Sequence, residues 1–286
     1  MPDDPAEAAP GAPVSGTDGA AGGRGKRVVI TGAAGNLGGK LRAYLEASGG
    51  WDLVLIDQDG GGDPAIVEAD LADPAASWPA LFRGADAVVH LAGSATQDQS
   101  WRQLESAILD PTLAVFDAAA AERVPRVVYA ASGTAMEGWR HTEEPLTRDR
   151  PPWPTSLYAA AKLAGERIGR LYAARHGLSV ICLRIGMIRP GDNPPPASHE
   201  LWAQRLWLGN GDFCRGVERS ILAADVTFAT INLVSDNAGT TWGLGPARDI
   251  IGFIPADRST PRSPALHRWP VFLLRRLRRR LRRLAS

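Results

Sequence analysis

Cysteine is scarce in this chain of 286 residues: Cys182 and Cys214 are the only two. Two thiols make no disulfide framework and carry no metal-ligand spacing around them, so the chain reads as a cytoplasmic protein of a reducing compartment. The five histidines, His90, His141, His176, His199 and His267, are scattered without ligand spacing, and no metal is expected. No basic segment followed by an apolar core marks a secretory signal, and no apolar run is long enough to span a membrane. Net charge is nearly absent too, +1 overall, but it is unevenly placed. Nine arginines and no acid lie in residues 262–286, which leaves 23 basic against 31 acidic residues, a net of −8, in the remainder. An acidic body excludes a broad phosphate-binding surface, and no nucleic acid is expected as a partner.

Both ends look appended to the fold. Residues 1–25 are rich in Ala, Pro and Gly with almost no large apolar side chain, so they do not offset the entropy of ordering and are expected to form a disordered leader. Residues 261–286 form an Arg-rich amphipathic tail, with Leu273, Leu274, Leu277, Leu281 and Leu284 at helical spacing among arginines over 269–284. Such a segment suits weak contact with an anionic membrane or an acidic partner, or else a solvated tail.

Between the ends, one layout stands out. The apolar run Val28-Val-Ile30 leads into Thr31-Gly-Ala-Ala-Gly-Asn-Leu-Gly38, and Asp57 follows nineteen positions later at the end of Leu53-Val-Leu-Ile56. Gly32 permits the turn off a strand, Gly35 lets the backbone approach phosphates, and Gly38 lets the next helix lie close to the sheet. Backbone N–H groups at that helix N-terminus hold a pyrophosphate, and Asp57 accepts from the ribose hydroxyls while repelling a 2′-phosphate, which favours NAD. Strands are predicted at 27–31, 52–57, 66–69, 86–91, 126–131 and 178–184, and helices at 36–47, 101–122 and 155–176. The fold class is therefore α/β, a Rossmann-type doubly wound parallel sheet with a small C-terminal substrate lobe. The NAD-binding domain is placed at 26–185 and the lobe at 186–260, with a strand near 228–234 returning to the sheet. Asp70 and Leu71, after the third strand, suit contact with adenine, and Asp70 equally suits a turn or helix cap.

Chemistry is expected at Tyr158-Ala-Ala-Ala-Lys162. On a helix, positions i and i+4 share a face, so the phenol and the ammonium project together. A lysine cation beside the phenol lowers its pKa from about 10, letting Tyr158 remove a hydroxyl proton. Ser132 stands at the C-terminal end of the fifth predicted strand, where open α/β sheets place ligands. Trp202 and Trp207, with Arg205 and His199, suit either a sugar-like or aromatic substrate or simple packing of the lobe. Trp139 and Trp153 flank a loop over 138–154 that either covers the site or is inert surface.

These stretches, with Ala69-Asp-Leu71, His90-Leu-Ala-Gly93, Ala131-Ser132 and Leu183-Arg184, resemble the extended short-chain dehydrogenases/reductases of the NAD-dependent epimerase/dehydratase branch, over residues 26–258. Within the branch the chain most resembles uronate dehydrogenases, through Leu157-Tyr158, Leu183-Arg-Ile-Gly186, the stretch from Trp207 to Phe213, Ser235-Asp-Asn237 and Trp242. That resemblance implies a catalytic set of Ser132, Tyr158 and Lys162, and a cofactor site that includes Asn36, Leu37, Leu91, Ala92, Gly93 and Ile185. Lys162 then also holds the nicotinamide ribose. It further implies a small polyhydroxylated substrate and a homodimer formed through 101–122 and 155–176. Departures fall at the substrate. Uronate dehydrogenases resemble Ser-Ser-Asn-His where this chain has Ala131-Ser132-Gly133-Thr134; Met187 stands for a serine, Ile108 for an asparagine, and Arg205 is the nearest counterpart of a substrate-binding arginine. The implied activity is NAD-dependent oxidation or reduction of a secondary alcohol or lactol carbon of a small sugar or sugar acid. A sugar epimerase or dehydratase is the alternative, although Ser132 to Glu137 lacks the Thr-Asp-Glu run that dehydratases resemble. A cofactor-binding scaffold without activity is the other.

Overall fold

The computed structural model describes residues 25–259, apart from 74, 95, 97, 148 and 197–200. The leader expected over 1–25, all but Gly25, the arginine tail and His199 lie outside the described residues. Seven strands, β1 (Lys26–Thr31), β2 (Trp51–Asp57), β3 (Ile66–Glu68), β4 (Ala87–His90), β5 (Arg126–Ser132), β6 (Ser179–Ile185) and β7 (Phe228–Leu233), form one sheet. Their order is β3-β2-β1-β4-β5-β6-β7, and every pair is parallel. This is the Rossmann-type doubly wound sheet, whose order reverses between β1 and β4 and leaves a crevice at their carboxyl ends.

Strands covered on both faces must be apolar at successive positions. Val28 and Ile30 of β1, Val128 and Ala130 of β5, and Ile181 and Leu183 of β6 pack on one face, against Leu41 and Leu45 of helix α1 (Asn36–Ser48). The alternate residues Val29, Val127, Tyr129, Val180 and Cys182 pack on the other, against Val115, Phe116 and Ala119 of α3 (Asp110–Ala121) and Ala173 of α4 (Leu157–His176).

Two elements differ from expectation. The helix predicted over 101–122 is divided into α2 (Trp101–Leu104), a turn of π geometry at Glu105–Leu109, and α3. Pro111 has no N–H to give the preceding turn and crowds its carbonyl, so the ladder widens there and the Asp110 N–H reaches back to the Glu105 carbonyl. Second, much of the segment assigned to the substrate lobe is part of the sheet's own covering. In α6 (Asn210–Leu222), Phe213, Cys214, Val217 and Ile221 recur at helical spacing and are buried on the α1 face, with Ala247 and Ile251 of α7 (Gly245–Ile251) beside them. The part that projects toward the crevice is the loop after β6 and the short α5 (Leu201–Arg205). No helix among the described residues is long and apolar enough to cross a membrane.

Candidate active site

The turn after β1 and the loop after β4 meet in the crevice. Gly32 has a φ of +75°, and a Cβ on it would stand 2.6 Å from the Ala92 nitrogen; a Cβ on Gly38 would run into the Gly32 carbonyl. Helix α1 begins at Asn36 with no side-chain cap, so its first N–H groups open onto the crevice. Glycine at these positions and an uncapped helix N-terminus make an anion cradle, and a dinucleotide pyrophosphate fits it. The Asp57 carboxylate, at the end of β2, accepts from the Ala34 N–H at 2.8 Å and the Gln58 N–H at 2.7 Å, which fixes a negative charge beside the turn. Farther out, Asp70 Oδ1 accepts from the Ala72 N–H at 2.9 Å and closes its own turn, while Leu71 is buried in the core with Ile56, Trp78 and Phe82. Neither lines the groove onto which the glycine-rich turn opens.

That groove has a volume of about 470 Å³ and brings together Gly32, Gly35, Asn36, Leu37, Gly38, Leu91, Gly93, Ser132, Tyr158, Lys162 and Ile185, all singled out from the sequence. Tyr158 and Lys162 sit in the first turns of α4, which the Ser156 side chain caps by accepting from the Ala159 N–H. Helix α4 lies close on β5 because Gly165 faces the Tyr129 hydroxyl, where any Cβ would collide. Lys162 is buried, and its ammonium donates to the Ala130 carbonyl at 3.0 Å and lies 5.4 Å from the centre of the Tyr129 ring. Gly93, whose φ of +134° other residues rarely adopt, lies beside that nitrogen. Ser132 Oγ lies 2.8 Å from Thr134 Oγ1 and accepts from the Thr134 N–H.

One electrostatic expectation is corrected. The phenol of Tyr158 lies above its ordinary value, because burial disfavours the phenolate, and only the Ser132 side chain acts against this. Lys162 is itself pushed down to about 8 by burial and is directed to the Ala130 carbonyl. Ile108 is buried with Leu104 and Ala161, with Tyr158 packed against them, and does not line the groove.

Behind the groove His90 is buried, with Nδ1 2.7 Å from Thr31 Oγ1 and Nε2 3.2 Å from Thr112 Oγ1. Burial, and then the charge of Lys162, hold its pKa at about 3 against an ordinary 6.5. Below pH 6.5 the unfolded chain takes up a proton that the folded chain refuses, so stability falls with pH, by roughly 2 kcal/mol between pH 6.5 and 5. Denaturant titration at the two pH values measures this, and His90→Asn is expected to flatten the dependence; an equal dependence in the variant assigns it to other groups.

The aromatic residues divide. Trp202 lines the groove and packs against Trp242 with the rings tilted at 45° and their centres 5.3 Å apart, whereas Trp207 is buried and donates through Nε1 to the Asn193 carbonyl. Arg205 does not line the groove; its guanidinium pairs with Glu143 at 3.0 Å. Trp139 and Trp153 pack edge to face at 5.0 Å, and the Gly138 N–H donates to the Trp153 carbonyl, so the two ends of the 138–154 loop are stitched together. Thr134, Glu137, Met187, Ile188 and Leu206 also line the groove. Met187 was noted in the sequence only as a departure, Thr134 and Glu137 as members of a run lacking dehydratase acids, and Ile188 and Leu206 carried no signal of their own.

Comparison with known proteins agrees with this geometry. A model of the NAD dependent epimerase/dehydratase family matches residues 28–196. An L-arabinose 1-dehydrogenase (NAD(P)(+)) of Haloferax volcanii is 32% identical over 82% of this chain and 97% of its own length. An NAD-dependent glucose-6-phosphate dehydrogenase of the same organism is 29% identical over 81% and 94%. The crystal structure of uronate dehydrogenase from Agrobacterium tumefaciens aligns with a TM-score of 0.70 at 27% identity, over 84% of this chain and 92% of that one, and a mutant of that enzyme has been solved with NAD. The cradle after β1 suits that cofactor, which is NAD, and the chain belongs to the NAD-dependent epimerase/dehydratase family of short-chain dehydrogenases/reductases.

Proposed function

We infer that the protein oxidises a secondary alcohol or lactol carbon of a small sugar-like substrate, with Ser132, Tyr158 and Lys162 as its catalytic residues. The observation that carries this reading is that these three side chains line the same groove as the glycine-rich turn. Bound NAD supplies the nicotinamide ring that takes the hydride. Ser132, already tied to Thr134, holds the reacting oxygen; Lys162 favours the phenolate form of Tyr158, and that phenolate takes the substrate proton and becomes the neutral phenol. Asp57, Leu91, Ala92, Gly93 and Ile185 belong to the same reading as cofactor contacts, with Asp57 at the ribose of the adenosine half, whereas Asp70 and Leu71, which do not line the groove, are left out of it. NADH formation across a panel of aldoses, uronates and cyclic polyols tests it, and NAD binding with no turnover on any of them counts against it.

The same reading includes a homodimer. Trp101 on α2, Leu113 on α3, and Leu157 and Leu171 on α4 are exposed large apolar side chains, and a second copy covering these helices removes them from water. Light scattering is expected to give twice the chain mass, and Leu113→Glu with Leu171→Glu to give a monomer; a monomeric parent protein excludes the interface.

A further inference from the structure

The relatives are named for a neutral sugar, a sugar phosphate and sugar acids, and the groups along the groove bear on which of these charge classes fits this chain. The walls of its outer end are Met187, Ile188, Trp202 and Leu206, with Thr134 and Glu137 the polar side chains. Among the described lining residues the ionisable groups are Glu137, Tyr158 and Lys162, and the Lys162 ammonium is committed to the inner end through the Ala130 carbonyl. The arginines nearby are engaged elsewhere. Arg205 pairs with Glu143, and Arg184 is buried against Glu166. Arg140 lies 3.8 Å from Glu137 Oε1 but is half exposed and does not line the groove, so it screens that charge only weakly. Glu137 is held in place by the Thr155 hydroxyl, which donates to Oε2 at 2.6 Å. Gly133 brings no side-chain amide to the groove, and the Leu206 side chain occupies the space beside it, its Cδ1 2.6 Å from where a Cβ would stand.

We propose that the substrate is an uncharged sugar, and that Glu137 selects it over its carboxylate and phosphate counterparts. Glu137 accepts hydrogen bonds from sugar hydroxyls at the end remote from the reacting carbon, and the Trp202, Met187 and Leu206 wall receives the C–H face of the ring. An anionic group in that position meets a fixed carboxylate, while the one cation among the described lining residues, Lys162, is tied to the Ala130 carbonyl, so the group bears both Coulomb repulsion and an unpaired, partly desolvated charge. The proposal deepens the dehydrogenase reading and rests on it for which end of the sugar reacts.

Matched pairs separate the two. D-Galactose and D-galacturonate differ only at C6, as do D-glucose and its 6-phosphate. Calorimetric titration of each into the full chain loaded with NADH is expected to show the neutral member binding about tenfold or more tightly. In Glu137→Gln the ratio shifts toward the anion by a similar factor. Equal or tighter binding of the anion by the parent protein, an unchanged ratio in Glu137→Gln, or no binding of either neutral sugar overturns the proposal. Turnover is read separately: the expected binding order with no NADH formed upholds the proposal and removes the dehydrogenase reading, whereas faster turnover of galacturonate than galactose keeps that reading and removes the proposal.

Discussion

Tyr158→Phe is expected to lower kcat about a thousandfold on whichever sugar the protein turns over, while leaving NAD binding nearly intact. The substitution deletes one oxygen, the atom proposed to receive the substrate proton, and general-base catalysis of this kind is worth roughly 10²–10⁴ in rate. The ring stays, so its packing beside Leu104, Ile108 and Ala161 is kept, and the first turn of α4 keeps its Ser156 cap. Steady-state kinetics alongside calorimetric NAD titration separate the two effects. The pH profile adds a sign. Burial holds the phenol above its ordinary value and Lys162 down at about 8, so in the cofactor-free protein near neutrality the phenol is protonated and the lysine charged. The profile of kcat/KM is therefore expected to rise toward alkaline pH, as the phenol gives up its proton. Lys162→Met removes the cation that favours phenolate and moves the rising limb to higher pH. A Tyr158→Phe protein within tenfold of the parent rate removes the phenol from the chemistry.

What the sequence made legible follows from where local signals suffice. A strand buried on both faces must be apolar throughout, so Val28 to Ile30, Ala87 to Val89 and Val127 to Ala131 announce themselves without any knowledge of their neighbours. The glycines after β1 are equally local, since φ and the space around Cβ decide them. The pairing of Tyr158 with Lys162 is fixed by helical spacing alone. The features that escaped depend on distant partners. Asp212 opens α6 like an ordinary first-turn acid, yet it is fully buried and accepts from the Ser235 hydroxyl at 2.6 Å and the Ala256 and Asp257 N–H groups, pinning a segment more than forty residues away. The direction of the Tyr158 shift depended on how deeply the groove wall buries it, which spacing does not report. Glu137 shares the groove with Trp202 and Leu206, which its neighbours in the chain say nothing of.

The largest loss of stability is expected from a residue with no place in the chemistry. Glu166 follows Lys162 by four positions as Lys162 follows Tyr158, so all three share one face of α4. Its carboxylate meets the Arg184 guanidinium side on, with Oε1 accepting from Nε and Oε2 from Nη2, both at 2.8 Å, and the two side chains are only 4% and 5% exposed. The remaining nitrogen, Nη1, reaches Met136 Sδ at 3.2 Å, beneath the outer end of the groove. Glu166→Ala strands a buried guanidinium without its counter-charge, which costs roughly 3–5 kcal/mol, whereas replacing both partners by apolar side chains of similar volume is often close to neutral. The double variant Glu166→Met, Arg184→Met is therefore expected to recover most of what Glu166→Ala loses in denaturant titration. The pair also ties α4 to β6, two turns below Tyr158, so residual folded Glu166→Ala protein should lose kcat more than it gains KM. A single-variant loss below about 1 kcal/mol, or a double variant no more stable than the single, means that packing around Gly165 and Tyr129, not the ion pair, sets where α4 carries its phenol.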